Sequence, residues 1–172
     1  MEFREIEYSD IELILKYKNH ILKYSDHIHG AAGLKDSDNI ENWIKEVKLA
    51  TKKETLLNKD FVPANTFVLI IENKIVGIIN LRHELNDYLF NFGGHIGYSV
   101  RHDERRKGYA KLMMKKCLEF SFDNLKLDKI LVTCDSENIA SEKTILASGG
   151  ILENIVNEGD KLTKRHWIYK NK

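Results

Sequence analysis

Proline occurs once in these 172 residues, at Pro63, and cysteine only twice. One proline leaves no Pro-rich linker to divide the chain. Two cysteines, Cys117 and Cys134, do not make a disulfide framework. No apolar run reaches the length that spans a bilayer, and the opening Met1-Glu2-Phe3-Arg4-Glu5 has the wrong charge and apolar pattern for a signal peptide. An excess of one charge is lacking too. Lys and Arg number 27 against 26 Asp and Glu, and a net +1 gives no drive toward nucleic acid. The expectation is one cytoplasmic domain over residues 1–172, with neither nucleic acid nor membrane as partner. What is present is a 42% apolar fraction, enough for a real core.

The apolar residues fall into patterns. Phe3 to Tyr8 suits a short opening strand. Ser9 with Glu12 has the spacing of a capping box, and Ile11, Ile14, Leu15, Ile21 and Leu22 follow as a helical stripe. Ser25 to Lys35 reads as a loop. A second helix starts near Asp38, with Ile40, Trp43, Ile44, Val47 and Ala50 on one face. Thr51 to Asp60 is polar and reads as a loop. Thr66 to Glu72 and Lys74 to Leu81 form a hairpin about Asn73-Lys74, and Gly93 to Arg101 is the next strand. A helix from Ala110 to about Ser121, a strand from Lys129 to Cys134 and a helix from Asn138 to Ser148 follow, the last stopping at Gly149-Gly150. Ile151 to Asn157 and Leu162 to Tyr169 close the chain as a hairpin that suits a homodimer contact. The order β-α-α-β-β-β-α-β-α-β-β is that of an α+β mixed sheet with helices on its faces.

Arg105-Arg106-Lys107-Gly108-Tyr109-Ala110 carries the strongest chemical signal. It has the form Arg-x-x-Gly-x-Ala and lies between a strand and an amphipathic helix. The first N–H groups of a helix have no internal partners, and the helix dipole favours negative charge there. Gly108 adopts positive φ at no cost and lets the backbone approach a phosphate. A solvated basic turn is the plainer reading of the three cations. A nucleotide-binding regulator would share the cradle, but the chain has no Gly-x-x-x-x-Gly-Lys-Ser/Thr motif.

With this loop between the fourth strand and third helix, the chain resembles the GNAT superfamily of N-acetyltransferases over nearly its whole length. The resemblance is strongest from Val76 to Gly149, and Gly93 to Val100 with the loop resembles a bacterial subgroup of predicted acetyltransferases. It implies a mostly antiparallel sheet of six to seven strands with about four helices, splayed between the fourth and fifth strands. It implies acetyl-CoA as the acyl donor, attacked directly by an amine of a small molecule or peptide in a ternary complex. The pantetheine arm would then lie against Tyr98, Ser99 and Val100, as an added strand does. The diphosphate would sit on Arg105, Arg106, Lys107, Gly108, Tyr109 and Ala110, with Asn138 near the arm. The family's frequent tyrosine, general acid toward the leaving thiolate, is replaced here by Ile145. That replacement motivates a second reading, a catalytically silent acyl-CoA-binding sensor or interaction module.

Acyl transfer to an amine of pKa near ~10 is helped by a general base. His95, on the fourth strand among apolar neighbours, has the titration range of a base, and equally suits a half-buried cross-sheet tether. Glu84, beside Arg82 and His83, suits a proton acceptor, a holder of cationic substrate, or a solvated charge cluster. Backbone N–H near Val100 is the natural oxyanion donor. Tyr98 suits a substrate contact or the core. His27 and His29 lie in the first helix-helix loop without further ligands at suitable spacing, so no metal is expected. Cys117 falls on the apolar side of its helix, and Cys134 has no His or Asp at dyad spacing.

Overall fold

The computed structural model describes residues 1–170. The elements are β1 (Glu2–Glu5), α1 (Ile11–Leu22), α2 (Ile40–Leu49), β2 (Ala64–Ile71), β3 (Lys74–Arg82), β4 (Ile96–Val100), α3 (Tyr109–Asp123), β5 (Lys129–Asp135), α4 (Ile139–Ala147), β6 (Ile151–Glu158) and β7 (Lys161–Tyr169). The strands form two antiparallel sheets, β1-β2-β3-β4 and β5-β7-β6. β4 and β5 are therefore facing edges with no ladder between them, which is the expected splay.

Both faces of the first sheet are covered, which explains the unbroken apolar runs of β2 and β3. Val68, Ile70, Ile75 and Ile78 pack with Ile14, Tyr17, Trp43, Ile44 and Val47 of α1 and α2. Leu69, Val76, Ile79 and Leu81 pack on the other face with Met113, Cys117, Ile130, Val132 and Ile145. α2 is capped by Asn39, whose side chain accepts the Asn42 N–H at 3.0 Å. The α1–α2 loop lies directly on β4. A Cβ at Gly30 would come within 2.1 Å of the Gly97 carbonyl oxygen, so the two backbones touch only because both residues are glycine.

Two local expectations are corrected. Ser9 and Glu12 do not cap α1. The Asp10 carboxylate accepts the Glu7 N–H at 2.8 Å and is held by Arg4 at 2.7 and 2.8 Å, so a short turn at Tyr8–Asp10 precedes the helix. The hairpin turn is Glu72-Asn73, both at positive φ, and Lys74 already belongs to β3.

Candidate active site

The chain leaves β4 at Val100 and makes a tight turn at His102–Glu104 before the cationic loop. Arg106 (φ 62°) and Gly108 (φ 81°) take left-handed conformations on either side of Lys107. Gly108 caps α3 with no side chain, and the first amide to reach back is Leu112, to the Gly108 carbonyl at 3.0 Å. Among the described residues, the N–H groups of Arg106, Lys107, Gly108, Tyr109, Ala110 and Lys111 therefore donate to no protein acceptor. Such a run of unspent donors at a helix head is a cradle for an anion of several oxygens. Arg105 and Arg106 are exposed beside it. Lys107 turns away, with its ammonium on Glu104 at 2.8 Å. A groove of about 790 Å³ leads from Gly108 between α3 and the end of α4, past Lys111, Lys115, Phe122, Gly149 and Tyr169.

The gap between β4 and β5 adjoins the cradle. Arg82 N–H donates to the His95 carbonyl at 2.8 Å and Arg101 N–H to that of Val76 at 2.9 Å. Every second residue of an antiparallel edge bonds to its neighbour. Residues 97, 99 and 101 and the His95 carbonyl thus face β3, and the N–H and C=O groups of Tyr98 and Val100 face the gap. At the base of the gap, His95 N–H donates to the Leu131 carbonyl at 2.7 Å, and His95 Nδ1 accepts the Leu131 N–H at 2.9 Å. Farther along, the Tyr98 hydroxyl meets the Ser141 hydroxyl of α4 at 3.0 Å. Asn138 caps α4, its side chain accepting the Ser141 N–H at 3.1 Å.

A sheet split between its fourth and fifth strands, with an empty-handed amide run at the head of the helix after the fourth, matches known proteins. The family described as "Acetyltransferase (GNAT) domain" matches residues 1–150. This chain belongs to the GNAT acetyltransferase family. The chemistry of that family is acyl transfer. A curated relative, the uncharacterized N-acetyltransferase YjdG of Bacillus subtilis (strain 168), is 30% identical over 77 residues, 45% of this chain and 43% of YjdG. The match thus spans less than half of the relative's length. Among solved structures, ribosomal-protein-S5-alanine acetyltransferase from Vibrio fischeri superposes with a TM-score of 0.73 at 19% identity, over 97% of this chain and 91% of that one. A point mutant of spermidine N-acetyltransferase SpeG from Vibrio cholerae gives 0.67 at 19%, over 98% and 95%. A GNAT-family acetyltransferase from Streptococcus pneumoniae gives 0.67 at 16%, over 99% of both chains. At these identities the likeness shows the shared GNAT fold.

The two expected catalytic residues of this GNAT chain, His95 and Glu84, stand in different settings. His95 is 6% exposed, and burial pushes its pKa down to about 4. A neutral ring that accepts a hydrogen bond at Nδ1 carries its proton on Nε2, so neither nitrogen has a lone pair to offer. His95 is the tether that holds β4 to β5 where the gap begins. Glu84 is half-exposed and paired with Lys53 at 3.2 Å on the surface, a solvated ion pair. Ser99 is also spoken for. Its carbonyl accepts from the Tyr17 hydroxyl at 2.9 Å, and its own hydroxyl donates to the His29 carbonyl at 2.7 Å. Its main chain faces β3, so Tyr98 and Val100 are the members of that set turned to the gap.

Other candidates resolve differently. Cys117 is wholly buried, and burial raises the Cys134 thiol to about 11, unsuited to a nucleophile. Ile145, on the inner face of α4, is wholly buried in the core. No cluster of three or more metal-ligating side chains is formed among the described residues, and no described helix is long and apolar enough to cross a membrane. Glu104, Tyr17 and Ser141 were not singled out in the sequence. Only Glu104 left a local signal, its i,i+3 spacing to Lys107.

Proposed function

We propose that residues 1–172 form one domain that transfers an acetyl group from acetyl-CoA to an amine of a small molecule or peptide. The observation that carries this reading is the run of unpaired amides from Arg106 to Lys111 beside the β4–β5 gap. Those amides, with Arg105 and Arg106, would hold the diphosphate. The groove past Lys111 and Tyr169 would take the adenosine end, and the gap-facing groups of Tyr98 and Val100 the pantetheine arm. When bound, the donor supplies a thioester carbonyl carbon, which the amine nitrogen attacks as the carbon–sulfur bond breaks. Thiolate is a moderate leaving group, comparable to a cysteine thiolate of pKa about 8.5, so the absence of a phenol at Ile145 is tolerable. Main-chain N–H at Val100 is the donor toward the developing oxyanion.

The amine's proton needs an acceptor that His95 and Glu84 do not supply. His29 stands beside β4, tied through its carbonyl to Ser99. Burial foremost, then the nearby His27 and Lys161, lowers its pKa and keeps the ring neutral. His29 is solvent-accessible on the α1–α2 loop that lies on β4, and we assign it the base. Amines like those named for the structural neighbours, spermidine and a ribosomal-protein alanine, are the first acceptors to try.

The test is titration of CoA into the protein, then incubation with acetyl-CoA and an amine panel while free thiol is measured. Absence of CoA binding defeats the reading. Binding without turnover on any amine favours the silent acyl-CoA module, which the buried Ile145 and the tethered His95 support. A homodimer through the closing hairpin fits the exposed Ile151, Leu152, Ile155 and Leu162, and light scattering checks it.

A further inference from the structure

Glu104 and Asp10 are the two buried acids among the described residues. Asp10 answers Arg4, far from the cradle. Glu104 stands three residues before Lys107, its side chain 8% exposed, and takes the ammonium groups of both Lys107 and Lys74. Lys74 opens β3, so this carboxylate ties the cationic loop to the β2–β3 hairpin. By charge alone, a carboxylate beside an anion cradle opposes the ligand, and it also occupies one of the three cations of the run.

We propose that Glu104 is a positioning residue for the cofactor cradle: by gripping Lys107 and Lys74 together it fixes the loop with its amides outward, and Lys107 is a latch rather than a phosphate ligand. The inference rests on the cradle holding the CoA diphosphate. It gives a reason for a non-glycine residue, Arg106, at φ 62°. A loop already ordered before binding loses less entropy when the ligand arrives.

Charge and positioning predict opposite signs for Glu104→Gln. Removing a negative charge and freeing two ammonium groups would tighten CoA if charge governed. Loss of the latch weakens CoA by about tenfold or more, the scale of losing a hydrogen bond between charged partners. We expect calorimetric titration of E104Q to show this weakening, with KM for acetyl-CoA raised and kcat at saturating donor unchanged. Lys74→Met tests the same point from outside the loop and serves where E104Q does not fold. It too should bind CoA more weakly. Added NaCl should weaken wild type and Lys107→Met in parallel, because Lys107 makes no phosphate contact to be screened. Wild type binding CoA while E104Q or K74M binds it equally or more tightly overturns the latch alone. A shallower salt dependence for K107M does the same. Failure of wild type to bind CoA removes the acyltransfer reading and the latch with it.

Discussion

Gly108→Ala separates backbone strain from ligand contact. Gly108 sits at φ 81°, and a Cβ built there meets no protein atom within 4 Å. The cost to folding is then the left-handed conformation alone, about 1–2 kcal/mol for an L residue. For a domain of this size each 1 kcal/mol lowers Tm by roughly 2–4 °C. Gly159, in the tip of the β6–β7 hairpin, has φ 65° and the same open surroundings. Gly159→Ala should therefore lower Tm by a similar amount, and it is the matched control. The two differ in what adjoins them. Gly108 lies in the middle of the six unpaired amides, where, on the proposed reading, a methyl group would crowd the diphosphate. Displacing one charge-assisted hydrogen bond is worth about 1.5–3 kcal/mol, hence roughly tenfold to a hundredfold in Kd. Differential scanning fluorimetry and calorimetric CoA titration read the two effects separately. G108A and G159A losing the same few degrees while both keep wild-type CoA affinity would refute the cradle.

Other outcomes follow from the same geometry. His95 is neutral in the fold with a pKa near 4 against an ordinary 6.5, so the unfolded chain takes up the proton first as pH falls. Stability is full above pH 6.5 and falls by about 1.4 kcal/mol per pH unit toward pH 4 from this group. His20, His29, His83 and His166 shift in the same direction. Urea midpoints for wild type and His95→Gln between pH 4.5 and 7 should show a shallower slope in the variant; equal slopes would deny His95 its part. Tyr98→Phe and Ser141→Ala each remove the hydroxyl contact across the gap, at about 1 kcal/mol. The double variant should lose no more than either alone, and additive losses in denaturant melts would show that the contact does not form in solution. Gly30→Ala forces a methyl against the Gly97 carbonyl, whereas Gly33→Ala, at φ 79°, meets nothing. G30A should be the more destabilised by several kcal/mol, and similar Tm values would mean that the α1–α2 loop does not seat on β4.

What the sequence revealed follows how local each determinant is. The element order and the Arg105–Ala110 loop are local patterns of period 2, period 3.6 and one glycine, and the structure follows them. Non-local pairings were hidden. Ser9 and Glu12 have the capping spacing, yet Asp10 is drawn to Arg4 on the preceding strand. His95 looked like a base because a titratable ring stood out in an apolar strand. That ring is spent on Leu131, 36 residues away. Lys107 looked like one of three phosphate ligands; its i,i+3 spacing to Glu104 is local, but no spacing rule shows that Lys74 of β3 shares that carboxylate.

The division of labour around the gap follows from these pairings. A split sheet exposes the polar groups of two edges, a cost unless something pairs them. Here the split is bounded at one end by His95 on Leu131 and bridged by Tyr98 on Ser141, while Tyr17 and His29 hold Ser99 from behind. β4 is thus fixed on three sides, and on its fourth side the N–H and C=O groups of Tyr98 and Val100 face the gap. The same economy holds in the loop, where Glu104 absorbs cationic side chains and leaves the backbone amides unspent. Two side chains that the sequence offered for chemistry and binding, His95 and Lys107, bond to the protein itself; the main chain of Tyr98, Val100 and the Arg106–Lys111 loop is what remains unpaired. Variants that keep the frame but alter these amides should therefore change CoA affinity far more than fold stability.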